Sequence, residues 1–138
     1  MSDIPTSSPQ KTIFVIDDDV AQLRAIGRIL KHHGHDVVVA RDGAAALRSL
    51  AVMPVDLLLT DIFMPEKDGL EVITAVKRKH PNVPIIAMSG GGTAASAAEI
   101  LTQASKIGAR MILPKPFTEE ELMAAVTEML ASSGSATA

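Results

Sequence analysis

The chain has no cysteine, no tryptophan and no tyrosine, and only three phenylalanines among its 138 residues. The missing thiols exclude a disulfide framework and thiolate chemistry. The missing aromatics leave no stacking surface for nucleic-acid bases. Net charge is also small, −3 at neutral pH, so there is no general attraction to nucleic acid or to an anionic membrane. No apolar run approaches the ~18 residues of a membrane-spanning helix. The first ten residues, MSDIPTSSPQ, lack the apolar segment of a secretory signal. These absences point to a soluble cytoplasmic protein that acts on neither nucleic acid nor membrane.

What is present is apolar and periodic. Nearly half of the residues are hydrophobic, and the length suits one domain with a substantial core. Residues 1–10 read as a flexible N-terminal arm, 11–131 as the domain, and 132–138 as a disordered tail. Short apolar runs at 12–17, 36–40, 56–61, 83–88 and 110–114 predict strands. They alternate with helix-period segments at 19–33, 43–52, 69–79, 96–107 and 119–131. Asp19-x-x-Gln22, Asp68-x-x-Glu71, Ser96-x-x-Glu99 and Thr118-x-x-Glu121 fit or approach capping boxes at helix starts. Gly34 and Gly108 fall where helices must end in a left-handed conformation. Five βα units with short loops predict an α/β fold. Its doubly wound, flavodoxin-like parallel sheet would have strand order 2-1-3-4-5 and five helices.

In such a sheet, ligands bind outside the carboxyl ends of the strands. The first strand ends on Asp17-Asp18-Asp19 and the third on Asp61; in this order they are neighbours. Carboxylates gathered this closely repel one another unless a cation joins them. Mg²⁺ suits oxygen ligands of this kind, often shared with phosphate. Asp17 and Asp18 are assigned to the metal, and Asp19 to capping the first helix. Asp61, at the end of a long apolar strand, is the candidate nucleophile, because a carboxylate can form an acyl phosphate. Alone, it would be read as the start of a turn before Pro65. The acids and Lys115 at matching strand ends reverse that reading.

The fourth strand runs into Ser89 and then Gly90-Gly91-Gly92. The Ser89 hydroxyl could serve a phosphoryl oxygen. The glycine run is too short for a Walker loop and lacks its Gly-Lys-Ser/Thr. Lys115 lies between Pro114 and Pro116, where regular ladder pairing is hindered, and its bond to Pro116 is a candidate cis peptide. Its ammonium is expected to pair with Asp61. The histidines at 32, 33 and 35 suit the negative end of the first helix and read as an exposed cluster rather than a metal site. No zinc spacing and no serine-hydrolase signature occurs.

Taken in order, several segments resemble the receiver domain of bacterial two-component response regulators. They are Ile-Phe-Val-Ile-Asp-Asp-Asp at 13–19, Ala-Arg-Asp-Gly-x-x-Ala-Leu at 40–47, Asp-Leu-Leu-Leu-Thr-Asp-Ile-Phe-Met-Pro-x-x-Asp-Gly-Leu-Glu at 56–71, Ile-Ile-Ala-Met-Ser-Gly at 85–90, Gly-Ala at 108–109 and Lys-Pro-Phe at 115–117. The resemblance implies a phosphoprotein in which Asp61 accepts a phosphoryl group from a sensor histidine kinase or a histidine phosphotransfer protein. It implies Mg²⁺ held by Asp18, Asp61 and the main-chain carbonyl of Phe63, with Asp17 acting through water. Ser89 would hydrogen-bond the phosphoryl group and Lys115 would form an ion pair with it. The surface of the helix at 96–107, the strand at 110–114 and the helix at 119–131 would then switch toward an unknown downstream target. Two features depart from the family pattern. Ile112 stands where receivers commonly carry an aromatic residue, and the Gly/Ala-rich stretch between Ser89 and Gly108 is longer than usual.

With no effector domain fitting after residue 131, the chain reads as a stand-alone receiver rather than a turnover enzyme. It could equally serve as a phosphate sink or relay intermediate, or as a pseudo-receiver that binds without phosphorylation. A phosphatase with Asp-x-Asp chemistry is disfavoured because Phe63 stands at the second acid's position and cannot transfer a proton.

Overall fold

A computed structural model describes residues 11–62, 69–89 and 108–135, together with Thr102 and Lys106. The arm at 1–10, Phe63, the caps at Asp68 and Ser96, the glycine run at 90–92 and nearly all of the helix expected over 96–107 lie outside these residues.

Five strands form one parallel sheet: β1 (Thr12–Ile16), β2 (Asp36–Ala40), β3 (Leu57–Asp61), β4 (Ile85–Ser89) and β5 (Met111–Pro114). Their order is β2-β1-β3-β4-β5, as expected. Helices α1 (Val20–His32), α2 (Gly43–Leu50) and α3 (Gly69–Lys79) and a C-terminal helix (Glu119–Ser135) surround it. β3 and β4 are buried along their whole length, so their near-continuous apolar sequences follow from cover on both faces.

Alternation along each strand splits the core in two. Phe14, Ile16, Leu58, Ile85 and Ala87 face one way, against Leu50 of α2 and Val72, Ile73 and Val76 of α3. Ile13, Val15, Leu57, Leu59, Ile86 and Met88 face the other. They meet Leu23, Ile26 and Leu30 of α1 and Leu122, Val126 and Met129 of the C-terminal helix. Each buried Leu or Ile contributes about 1.5–3 kcal/mol, and together they hold the strand ends in fixed register.

Several boundaries differ from those predicted. β4 begins at Ile85 rather than 83 and reaches Ser89. Pro84 lacks an N–H, and its carbonyl accepts from Leu58 where the ladder starts. α2 ends at Leu50 rather than 52. The C-terminal helix continues to Ser135, past the expected end at 131. The added residues are Ser132, Ser133, Gly134 and Ser135, so the last turn rests on the helix already nucleated and packed upstream, against a glycine that costs about 1 kcal/mol.

Gly34 (φ 91°) and Gly108 (φ 138°) both occupy the left-handed region. At Gly34 the end of α1 is closed by Gly34 N donating to the Lys31 carbonyl and His35 N to the Leu30 carbonyl.

Candidate functional site

The parallel registers bring the predicted site residues to one edge. Ile16 of β1 pairs with Thr60 of β3, so the next residues, Asp17 and Asp61, leave the sheet side by side. Asp61 pairs with Met88 of β4, and Ser89 follows it to pair with Pro114 of β5, immediately before Lys115. Asp17 is fully buried, and Asp61 and Ser89 are each 4% exposed, whereas Asp18 is open to solvent.

One oxygen each from Asp17, Asp18 and Asp61 lies within 4.8 Å of the others. Three hard oxygen donors at that spacing, one of them facing solvent, fit a cation such as Mg²⁺ that keeps several waters. Phe63, the fourth expected ligand, lies outside the described residues.

Local bonds hold each carboxylate. Asp17 Oδ1 accepts from the backbone N–H of Asp19 at 3.0 Å. Asp19 caps α1 in turn, accepting from Ala21 N (3.0 Å) and Gln22 N (3.4 Å). The expected reciprocal bond, with Gln22 reaching back to Asp19, is replaced: Asp17 already takes that N–H, because a buried carboxylate needs donors of its own. The Thr60 hydroxyl donates to the Asp61 carbonyl at 3.1 Å, which anchors the backbone at the candidate nucleophile.

Lys115 bridges the two buried acids. Its Nζ lies 2.9 Å from Asp17 Oδ2 and 3.4 Å from Asp61 Oδ2. The expected partner was Asp61; the shorter contact goes to Asp17. Burial by itself lowers the ammonium's pKa, but the hydrogen bond to Asp17 and the charges of Asp61 and Asp17 outweigh it and raise it. The flanking prolines do not isolate this residue from the sheet, because Lys115 N donates to the Ser89 carbonyl at 2.7 Å. The Lys115–Pro116 peptide is cis.

Two further residues matter here. Asp42 caps α2 by accepting from Ala45 N at 2.8 Å, a signal present in Asp42 ahead of a Gly-Ala-Ala-Ala run. Ile112, in the usual aromatic position, is half-buried against the α2 and α3 side of the core. The expected capping box at Thr118 forms in both directions: Thr118 N donates to Glu121 Oε1, and Glu121 N to Thr118 Oγ1.

The response regulator receiver domain model matches residues 13–127. The chain belongs to the response regulator receiver family. Among curated relatives, this receiver is 34% identical over 125 residues to the transcriptional regulatory protein ZraR of Klebsiella oxytoca, covering 91% of the chain and 27% of that protein. It is 36% identical over 133 residues to the transcriptional regulatory protein PrrA of Mycobacterium tuberculosis, covering 96% of the chain and 54% of that protein. The chain therefore spans about a quarter to about half the length of these relatives. Among solved structures, a CheY-like receiver domain protein from Methanospirillum hungatei superposes with a TM-score of 0.85 at 24% identity, over 92% of this chain and 98% of that one, a likeness of fold. Among the described residues, no helix is long and apolar enough to cross a membrane.

Proposed function

We propose that this receiver accepts a phosphoryl group on Asp61 from the phosphohistidine of a sensor histidine kinase or a histidine phosphotransfer protein. The observation that carries this reading is the convergence of Asp17, Asp18 and Asp61 within 4.8 Å, with the Lys115 ammonium against two of them.

An Asp61 carboxylate oxygen attacks phosphorus as the bond to the donor imidazole breaks; the imidazole nitrogen leaves and takes up a proton. Asp18 and Asp61 would hold Mg²⁺ directly, with Asp17 acting through water and Phe63 offering its main-chain carbonyl. When bound, the metal supplies the positive charge that lets phosphoryl oxygens approach three acids. Lys115, already against Asp61, then pairs with a phosphoryl oxygen. Ser89, at the end of β4, donates its hydroxyl to another.

The added group carries a charge of about −1.5 to −2, enough to pull Lys115 and Ser89 toward it. That difference biases two states of the surface built on β5, the C-terminal helix and the segment over 96–107. A cytoplasmic partner protein reads the change, whether this receiver works alone or within a longer chain. Water slowly hydrolyses the acyl phosphate, releasing inorganic phosphate and restoring the Asp61 carboxylate, so the receiver acts as a signalling domain and not as a turnover enzyme.

Incubation with acetyl phosphate and Mg²⁺, followed by intact-mass measurement, tests the proposal. A single phosphoryl adduct that is absent in Asp61→Asn supports it. An adduct of equal yield in that variant would overturn it.

A further inference from the structure

A groove of about 550 Å³ runs between α1 and the edge strand β2, away from the acidic pocket. Its rim carries Arg24, Arg28 and Lys31 from α1 and Arg41 from the end of β2, all exposed. No carboxylate lines it, although the chain as a whole is negative. Among the described residues, none of these four side chains forms an ion pair or a side-chain hydrogen bond.

The floor is apolar. Val20 (37% exposed) and Val39 (49% exposed) line it, two of the three exposed large hydrophobics among the described residues. Gly27, buried in the middle of α1 where glycine weakens a helix, lines the groove too. Its backbone does not require glycine. A Cβ there would meet only Val37 Cγ1, at an ordinary 3.9 Å. The missing side chain keeps the groove open.

We propose that this groove docks an acidic amphipathic helix of a partner protein. Arg24, Arg28 and Lys31 follow a four- and three-residue spacing, one stripe along α1. From Val20 to Lys31 the stripe spans about 16 Å, about three helical turns. Carboxylates at the same spacing on a facing helix meet that stripe, while one or two Leu or Ile side chains cover Val20 and Val39. A nucleic-acid strand fits worse, because no aromatic side chain lines the groove to stack its bases. The inference does not depend on phosphoryl acceptance, and Asp61→Asn is expected to bind the same helix.

Short helical peptides of mixed Asp, Glu, Leu, Ile, Lys and Ser, displayed on phage, are selected on the full chain. The enriched peptides are expected to carry acids three and four residues apart beside Leu or Ile. Arg24→Glu with Arg28→Glu, Val39→Asp, and Gly27→Leu should each weaken their binding about ten-fold or more. The melting temperature of the Arg24→Glu, Arg28→Glu variant should stay within a few degrees of the parent, because both residues are exposed, which separates a lost docking surface from a damaged fold. Failure of any peptide to enrich, or binding that ignores these substitutions, would overturn the proposal. So would displacement by heparin or phosphatidylserine vesicles as effective as displacement by the free peptide, since either would mark a plain polyanion surface.

Discussion

The Lys115 ammonium lies closer to Asp17 (2.9 Å) than to Asp61 (3.4 Å). The lysine therefore lies between two acids and does not belong to Asp61 alone. A phosphoryl group on Asp61 adds charge on one side of that balance and draws Nζ toward it. Lys115→Met should leave phosphoryl acceptance by acetyl phosphate largely intact while reducing the structural response. Amide chemical shifts in β5 and the C-terminal helix, compared with and without beryllofluoride and Mg²⁺, check this. A full-sized response in Lys115→Met would remove the lysine from the switch.

The same contacts set an alkaline limit. The folded-state pKa of Lys115 is raised above its ordinary value, so the ammonium's contribution to stability is complete below about pH 10.4. It is lost as pH rises from there through the raised value, because only the folded state still holds the proton. Urea midpoints measured across that window should fall less steeply for Lys115→Met than for the parent chain.

Three crowded carboxylates predict stabilisation by a divalent cation. Mg²⁺ at 100 times its dissociation constant should stabilise the fold by about 2.7 kcal/mol. Asp18→Asn should lose most of this gain with little effect on the metal-free fold, because Asp18 is exposed, whereas Asp17 is buried and bonded to Lys115 and to Asp19 N. Thermal melts with and without Mg²⁺ give both quantities.

Gly108 is held by backbone and by space. Its φ is 138°, and an added Cβ would collide with Lys77 Cγ. Gly108→Ala should cost about 1–3 kcal/mol. Adding Lys77→Ala relieves the collision but not the backbone strain, so the double variant should recover only part of the loss in a chemical-denaturation cycle.

The cap at Thr118 is a simpler case. Thr118→Ala leaves the N–H of Glu121 without its Oγ1 acceptor and should destabilise the start of the C-terminal helix by about 1 kcal/mol. The loss should appear as faster hydrogen exchange in residues 119–122.

The sheet order and the placing of Asp17, Asp61, Ser89 and Lys115 at one edge were legible because strand position fixes where a residue leaves a parallel sheet. Leu57-Leu58-Leu59 reads as a strand covered on both faces, and the residue closing it must emerge at the carboxyl edge. What each side chain does after leaving the strand was less legible. Gln22 had the spacing to complete a capping box, yet Asp17 takes the Asp19 N–H because its own burial demands donors. Lys115 was expected to pair with Asp61, and no spacing rule could rank Asp17 ahead of it. Strand ends moved by one or two residues because ladder partners on neighbouring strands, such as Pro84 opposite Leu58, decide where pairing starts. Asp42 carried a readable cap that the motif at 40–47 overshadowed.

Chemical trapping of the acyl phosphate tests the central claim most directly. After reaction with acetyl phosphate, borohydride reduces an aspartyl phosphate to homoserine, which tandem mass spectrometry can locate. Homoserine is expected at position 61 alone, formed with Mg²⁺ and lost when the metal is chelated. Homoserine at another aspartate, or at 61 in equal yield without Mg²⁺, would contradict it.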